Sequence, residues 1–155
     1  MVASRCFVVR PDDGRRIDLG DFEMRVKADA ASTNGVVAVL EATEPPGFGP
    51  PVHVHEDAAE AFFVLDGEYV MYLDGEEARC PAGTFVFIAV GVPHGFRVGD
   101  VPSRKLNFYF PAAMTGYFDE LAVALARSDV TEAELAGIAS AHRMTIVGPP
   151  SERYV

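Results

Sequence analysis

Two histidines and one carboxylate close together in the chain predict a metal-binding segment. His53 and His55 are two residues apart in a β-favouring context, so both imidazoles leave the same face of a strand. Glu60 follows at an odd offset from His55, which would place it on the opposite face of a continuous strand. The small and polar residues 56–59 favour a turn or bulge that returns Glu60 to the histidine side. We therefore expect three ligands to converge from one short segment.

His94 is the candidate fourth ligand. It ends the apolar segment 83–94, which predicts a second strand that reaches the same cavity. Three imidazoles and one carboxylate form a mixed nitrogen and oxygen set that suits borderline divalent ions. Glu60 is also the candidate catalytic group, because it can take a proton from a metal-bound hydroxyl. His142 lies at the end of a predicted helix, with no ligand spacing nearby, and is left out of the site.

These residues carry a resemblance to the cupin family. The first cupin motif is matched at all its fixed positions, by Gly47, His53, His55, Glu60 and Gly67. Such fixed spacing rarely arises by chance. The second motif is matched at three positions, by Gly83, Gly91 and His94. Ala89 replaces its usual proline and Val98 its usual asparagine, and neither departure removes a ligand.

The resemblance implies an all-β fold, the cupin double-stranded β-helix or jelly-roll barrel, with one divalent transition metal. Iron, manganese, nickel, cobalt, copper and zinc all remain candidates. The residues around His53 and Glu60 are similar to the single-cupin, quercetin 2,3-dioxygenase-like branch. That likeness implies that dioxygen opens the ring of a flavonol or related enol. The metal would bind the substrate oxygen, and Glu60 would accept its proton.

Two other functions stay open. Small cupins also act as non-redox isomerases, cyclases and lyases, including enzymes that modify polyketides, for which a Lewis-acid metal and Glu60 would suffice. The chain can also be a module that binds a metal and a ligand without turnover, because fold alone does not settle function.

Composition and charge limit the classes of partner molecule that we expect for this chain. At 155 residues the chain is expected to form one domain, and its formal net charge of −10 disfavours nucleic acid and anionic membranes. Cys6 and Cys80 cannot make a disulfide framework and are expected to be reduced. No apolar run has the length of a secretory signal or a membrane span, so we expect a cytoplasmic protein.

The order of sequence patterns predicts an N-terminal arm over residues 1–14, a β-barrel over 15–110 and a helical hairpin over 111–155. Asp66-Gly67 and Asp74-Gly75 separate apolar runs and predict two hairpins. A two-residue first turn would pair Val64 with Tyr69 and Phe62 with Met71, all on the face of Glu60. Phe63, Val70 and Tyr72 make the other face apolar as well. Another sheet, the C-terminal tail or a second subunit must cover that face, and we favour a homodimer.

The substrate is expected to be a small, neutral and mostly hydrophobic molecule. Between Gly47 and Phe96 the only lysine or arginine is Arg79, so these segments offer little to hold a carboxylate or phosphate. An aromatic wall would hold a planar ligand. Its candidate residues are Phe62, Val64, Tyr69, Met71 and Phe96, with Phe85 or Phe87 and Phe108 or Tyr109.

Overall fold

Two antiparallel sheets facing each other form the body of the protein in a computed structural model, which describes residues 5–148. The strands of this part of the chain are β1 (Arg15–Asp18), β2 (Glu23–Ala28), β3 (Ala38–Glu44), β4 (His53–His55), β5 (Ala59–Asp66), β6 (Glu68–Leu73), β7 (Glu76–Pro81), β8 (Phe85–Ile88), β9 (His94–Val98), β10 (Ser103–Phe110) and β11 (Met144–Ile146). Its helices are α1 (Ala30–Thr33), α2 (Thr115–Leu125) and α3 (Glu132–Ala141).

The large sheet has the strand order β1-β2-β3-β10-β5-β8, and the small sheet has the order β11-β4-β9-β6-β7. Neighbouring strands within each sheet often come from distant parts of the sequence, which is the topology of a jelly roll. The mostly-β fold with a helical C-terminal region confirms the predicted fold class. None of the helices that the structure describes is long and apolar enough to cross a membrane.

Side-chain alternation along the strands builds the interior between the sheets. Along β10 the buried positions are Ser103, Lys105, Asn107 and Tyr109, and the residues between them face outward. One buried cluster, which includes Leu40 and Met144, packs under the helices. A second cluster fills the other end of the barrel. Its buried members are Phe62, Val64, Tyr69, Met71, Cys80, Val86, Ile88, Phe96 and Val98.

The Asp66-Gly67 turn does not form the predicted hairpin. β5 pairs with β10 and β8 in the large sheet, whereas β6 pairs with β7 and β9 in the small sheet. The predicted pairs Val64–Tyr69 and Phe62–Met71 are therefore wrong, although all four side chains do face the interior. An Asp-Gly pair sets a sharp reversal, but it does not decide whether the next strand stays in the same sheet.

Other local predictions are confirmed. Leu73 pairs with Glu76 across the Asp74-Gly75 hairpin, where both turn residues have positive φ, as a type I′ turn requires. Thr131 and Glu134 form the predicted capping box at the start of α3. Strand β11 was not predicted, and its partner is β4. Residues 5–14 of the predicted arm contain no helix or strand, and residues 1–4 and 149–155 lie outside the described residues.

The outer face of the large sheet carries five phenylalanines, which we call the phenylalanine face: Phe63, Phe85, Phe87, Phe108 and Phe110. Phe63 lies between Leu106 and Phe85 in the strand register, and Phe85 and Phe87 are 62% and 60% exposed. A contiguous apolar surface of this kind on a folded protein marks a binding interface. The predicted shared outer face of Phe63, Val70 and Tyr72 is wrong, because Val70 and Tyr72 lie on β6 in the other sheet. Phe63 does lie on an apolar outer face, that of the sheet which contains β5.

We expect two copies of the chain to associate through the phenylalanine face. The net charge of −10 makes two copies repel each other, and burial of an apolar face against its own copy about a twofold axis would offset that repulsion. Light scattering coupled to size exclusion should give a dimer for the wild type and a monomer for the double variant Phe85→Ser/Phe87→Ser. Val123→Ser, on an equally exposed residue of α2, should remain dimeric. A monomeric wild type would contradict this assignment.

Gly67 is the position where the chain crosses between the sheets with no room for a side chain. Its φ is 76°, and an added Cβ would lie 2.1 Å from Ser103 Oγ and 2.9 Å from Ser103 Cα. Gly67→Ala should lower the free energy of unfolding by about 3 kcal/mol, from backbone strain plus displacement of Ser103.

Gly75→Ala is the matched control, because Gly75 has a φ of 88° but its nearest contact would be Tyr72 Oη at 3.8 Å. It should cost only the backbone strain, about 1 kcal/mol. Urea unfolding of the three proteins makes the comparison, and equal losses for the two variants would contradict the steric argument.

Candidate metal centre

The four candidate ligands come from both sheets. His53 and His55 lie on β4 and His94 begins β9, and His53 and His94 are paired residues in the small sheet. Glu60 lies on β5 of the large sheet. The turn between β4 and β5 therefore carries the chain from one sheet to the other. This is the bend that the odd offset between His55 and Glu60 requires, and it brings Glu60 to the histidines.

The cluster is compact. One candidate ligand atom from each of His53, His55, Glu60 and His94 can be chosen so that all four lie within 4.8 Å of one another. Glu60 Oε2 lies 2.9 Å from His55 Nε2 and 2.8 Å from His94 Nε2. The ring of His53 completes the group, with its centroid 4.4 Å from that of His94 and 5.0 Å from that of His55. The structure thus brings together all four residues predicted from the sequence.

Backbone carbonyls orient two of the imidazoles. His53 Nδ1 donates to the carbonyl of Pro51 at 2.7 Å, and His94 Nδ1 donates to the carbonyl of Val92 at 2.8 Å. These bonds place a proton on Nδ1 of each ring. They leave a lone pair on His53 Nε2, whereas His94 Nε2 donates a hydrogen bond to Glu60 Oε2 at 2.8 Å and would give up that proton when a cation binds. A second hydrogen bond of this kind is the usual way in which a protein fixes the tautomer and orientation of a metal-binding histidine.

Burial and mutual contact set the charges of the cluster. Burial, followed by the nearby His94, lowers the pKa of His53 to about 4, so its imidazole is neutral at pH 7. Burial alone would raise the pKa of Glu60, but the His55 and His94 imidazoles outweigh it and hold the pKa well below its ordinary value. The site therefore offers an ionised carboxylate and a neutral imidazole, which are the forms that bind a cation.

The donor set fits a divalent transition metal. His55 Nε2 is buried and makes no hydrogen bond, although it lies 2.9 Å from Glu60 Oε2. A buried nitrogen without a partner costs free energy, and a cation at the centre of the cluster would satisfy it. Three imidazoles and one carboxylate suit first-row transition ions, and this donor set does not choose among them.

A cavity of about 1030 Å³ opens onto the cluster and contacts His53, His55 and Glu60. Phe62 and Phe96 line it, as predicted from the sequence. Of the two alternatives Phe108 and Tyr109, Tyr109 faces inward on β10 and lines the cavity. Helices α2 and α3 close one side with apolar residues such as Leu121 and Leu135, a role that the sequence did not reveal.

Several predicted pocket residues lie elsewhere. Val64, Tyr69 and Met71 are fully buried in the core and do not contact the cavity. Phe85 and Phe87 point outward, because Val86 and Ile88 take the inward positions of β8. The alternation of β8 was visible in the sequence, but both of its faces are apolar, so the inward face was not.

Lys105 lies outside residues 47–96, the segment whose lack of cations predicted a neutral substrate. It lies on β10, is 0% exposed and contacts the cavity. Its Nζ is 2.6 Å from Glu44 Oε1, which also accepts a hydrogen bond of 3.0 Å from the Tyr69 hydroxyl. Since Glu44 neutralises Lys105, the cavity still offers no free cation there for an anionic substrate. A lysine at an inward position of an alternating strand was the available signal.

Replacing two of the candidate ligands should abolish metal binding. We expect the wild type, equilibrated with zinc and desalted, to hold about one ion per chain, and His53→Ala/His94→Ala to hold almost none. Elemental analysis of the desalted proteins gives the measurement. His142→Ala is the control, because His142 is 3.2 Å from Glu120 and lies outside the cluster. Full metal content in the double variant would contradict the assignment.

Comparison with known proteins finds a matching family model and two similar sequences. Residues 40–109 match the family model described as the cupin domain. The quercetin 2,3-dioxygenase of Bacillus subtilis (strain 168) is 29% identical over 102 residues, which are 66% of this chain and 30% of that protein. An uncharacterized protein of Methanocaldococcus jannaschii is 29% identical over 75 residues, which are 48% of this chain and 60% of that protein. The matches thus span less than two thirds of either relative.

Solved structures share the fold. KdgF from Halomonas sp. superposes with a TM-score of 0.62 at 16% identity, covering 68% of this chain and 94% of that chain. A predicted oxalate decarboxylase from Thermotoga maritima gives 0.60 at 25% identity, covering 68% and 99%. The polyketide cyclase RemF from Streptomyces resistomycificus gives 0.59 at 24% identity, covering 68% and 79%. The first and third of these likenesses concern the fold alone.

Proposed function

We propose that this chain, whose residues 40–109 match the cupin domain, is a metal-dependent dioxygenase of the cupin family. Its substrate is a small, mostly hydrophobic, planar molecule with an enolic hydroxyl, of the flavonol type. The observation that carries the proposal is the position of Glu60. This ionised carboxylate lies among three imidazoles and lines a large cavity whose walls are mainly apolar and aromatic. The similarity to a quercetin 2,3-dioxygenase supports the same substrate class.

The cavity walls favour a flat aromatic ligand. Phe62 and Phe96 lie edge to face with their ring centroids 6.1 Å apart, and Phe48 extends the same wall at 6.1 Å from Phe96. Leu121 and Leu135 of the two C-terminal helices lie on the same cavity. Aromatic and aliphatic walls of this kind bind planar organic molecules by burial and ring contacts, with few polar groups to fix their orientation.

Glu60 is the group that moves a proton. His53, His55, Glu60 and His94 would hold a transition metal, which would supply Lewis acidity and, if redox-active, the redox chemistry that dioxygen needs. The carboxylate of Glu60 is held ionised by His55 and His94, so it is ready to take the proton of an enolic hydroxyl that enters from the cavity. Removing that proton makes the substrate electron-rich, as attack by dioxygen requires.

Tyr109 keeps Glu60 in place. Its strand position pairs with Glu60, and its ring meets the edge of His55 with the centroids 5.5 Å apart. Burial and the adjacent Glu60 raise the pKa of the phenol well above its ordinary value, so the hydroxyl keeps its proton at every pH at which the protein works. Tyr109 is therefore a hydrogen-bond donor beside the carboxylate and does not compete with Glu60 as a base.

Quercetin incubated with ¹⁸O₂ and metal-loaded protein tests the proposal. We expect oxygen uptake and the incorporation of both labelled atoms into the products, measured by mass spectrometry. Glu60→Gln should lower kcat by about 10² to 10⁴ while the three histidines still bind metal, because the proton acceptor is lost. Glu56→Gln is the control, since Glu56 is exposed and its side chain accepts a hydrogen bond from Thr145 Oγ1 at 2.8 Å.

Two outcomes would redirect the proposal. Turnover of an enolic substrate without dioxygen, or full activity with redox-inert zinc, would identify a non-redox isomerase, cyclase or lyase that uses the same Glu60. Binding of a ligand by both wild type and Glu60→Gln, with no product from either under any condition, would identify a binding module.

A further inference from the structure

Strand β10 places a row of polar side chains along the cavity. Lys105, Asn107 and Tyr109 occupy successive inward positions, each no more than 3% exposed, and all three contact the cavity that reaches Glu60. Successive inward positions of a strand are about 7 Å apart. Tyr109 is paired with Glu60 and Asn107 with Phe62, so Asn107 lies one such step away from the metal cluster.

The Asn107 amide oxygen has no partner within the protein. Oδ1 is buried and makes no hydrogen bond, whereas the ammonium of Lys105, one step further along the strand, is bonded to Glu44. Among the cavity-lining side chains that the structure describes, the buried polar atoms without a partner are this oxygen and His55 Nε2. The nitrogen belongs to the metal cluster. The oxygen is an acceptor at a second place in the same cavity, and an unpaired buried acceptor favours a ligand that donates to it.

The surroundings of Asn107 favour an uncharged donor. Lys105 is neutralised by Glu44 at 2.6 Å, and its ammonium lies 4.2 Å from the centroid of the Phe96 ring, so it has little left to attract an anion. An anionic group placed here would face the amide oxygen and would be repelled by it. A hydroxyl or N–H group on an aromatic ring matches both the acceptor and the apolar walls.

We propose that Asn107 is a positioning residue that accepts a hydrogen bond from a second, uncharged hydroxyl or N–H group of a planar ligand. That group lies on the side of the ring system remote from the enolic oxygen, which faces Glu60. The cavity thus selects a hydroxylated ring system over an unsubstituted one. The inference rests on the proposed function for the class of ligand, and it adds the specificity of the site.

Two flavonols make the test. Quercetin and 3-hydroxyflavone both carry the enolic 3-hydroxyl, but only quercetin has further hydroxyls on its outer rings. Their dissociation constants are measured by calorimetry on zinc-loaded wild type, Asn107→Leu and Leu121→Ala, without dioxygen so that no turnover occurs. We expect the wild type to prefer quercetin by roughly 10-fold and Asn107→Leu to lose most of that preference. The ratio of the two dissociation constants is compared between wild type and variant, so any intrinsic difference in affinity between the two flavonols cancels.

The other variants separate positioning from general damage. Leu121→Ala removes apolar wall that contacts the cavity, so it should weaken both flavonols while their ratio stays as in the wild type. Asn107→Asp retains an acceptor oxygen and should keep the preference for quercetin. Should Asn107→Leu fail to fold, Asn107→Ala gives the same comparison. A preference that persists without the amide oxygen, or a wild type that binds neither flavonol, would overturn the assignment.

This test is independent of catalysis. If quercetin binding depends on Asn107 but no oxygen is consumed, the positioning role stands and the dioxygenase proposal fails. If oxygen is consumed but the ratio is the same in wild type and Asn107→Leu, the dioxygenase proposal stands and the role of Asn107 is disproved.

Discussion

The structure depends on how a buried carboxylate is stabilised where the two sheets meet. Glu60 is 3% exposed, and an isolated carboxylate at such a place would be strongly destabilising. His94 Nε2, 2.8 Å away on the opposite sheet, donates a hydrogen bond to Glu60 that offsets part of this cost, and His55 Nε2 lies 2.9 Å from the same carboxylate oxygen. The same contact that stabilises the ion keeps its pKa low and leaves it ready to bind a cation or to accept a proton. Fold stability and candidate chemistry therefore rest on one interaction.

A second buried ion pair, between Glu44 and Lys105, lies in the interior between the sheets. Glu44 and Lys105 are 1% and 0% exposed, and the Tyr69 hydroxyl donates to the same oxygen of Glu44. Breaking such a pair by removing one partner leaves a buried charge, which is far more costly than never having had the pair. The pair fixes β10 against β3 and β6. It also neutralises Lys105, so this lysine leaves no unpaired cation in the cavity.

The helical hairpin contributes to the cavity as well as the sheets. Helices α2 and α3 add an apolar wall on one side of it. Met114, which precedes α2 with a φ of 70°, is buried against the same region. A non-glycine residue in that conformation is strained and persists only when its surroundings hold it. The helices are thus packed as part of the cavity, where they limit the size and polarity of what can enter.

The sequence by itself determined the features that depend on residues close together in the chain. The spacing of His53, His55 and Glu60, the Asp74-Gly75 hairpin and the Thr131 capping box all follow from strand period, turn chemistry and helix-end hydrogen bonding. Only the tertiary structure decided which sheet follows Gly67, which face of β8 is inward, and that Lys105 meets Glu44. The period of a strand shows which side chains share a face, but the partner strands decide what that face contacts.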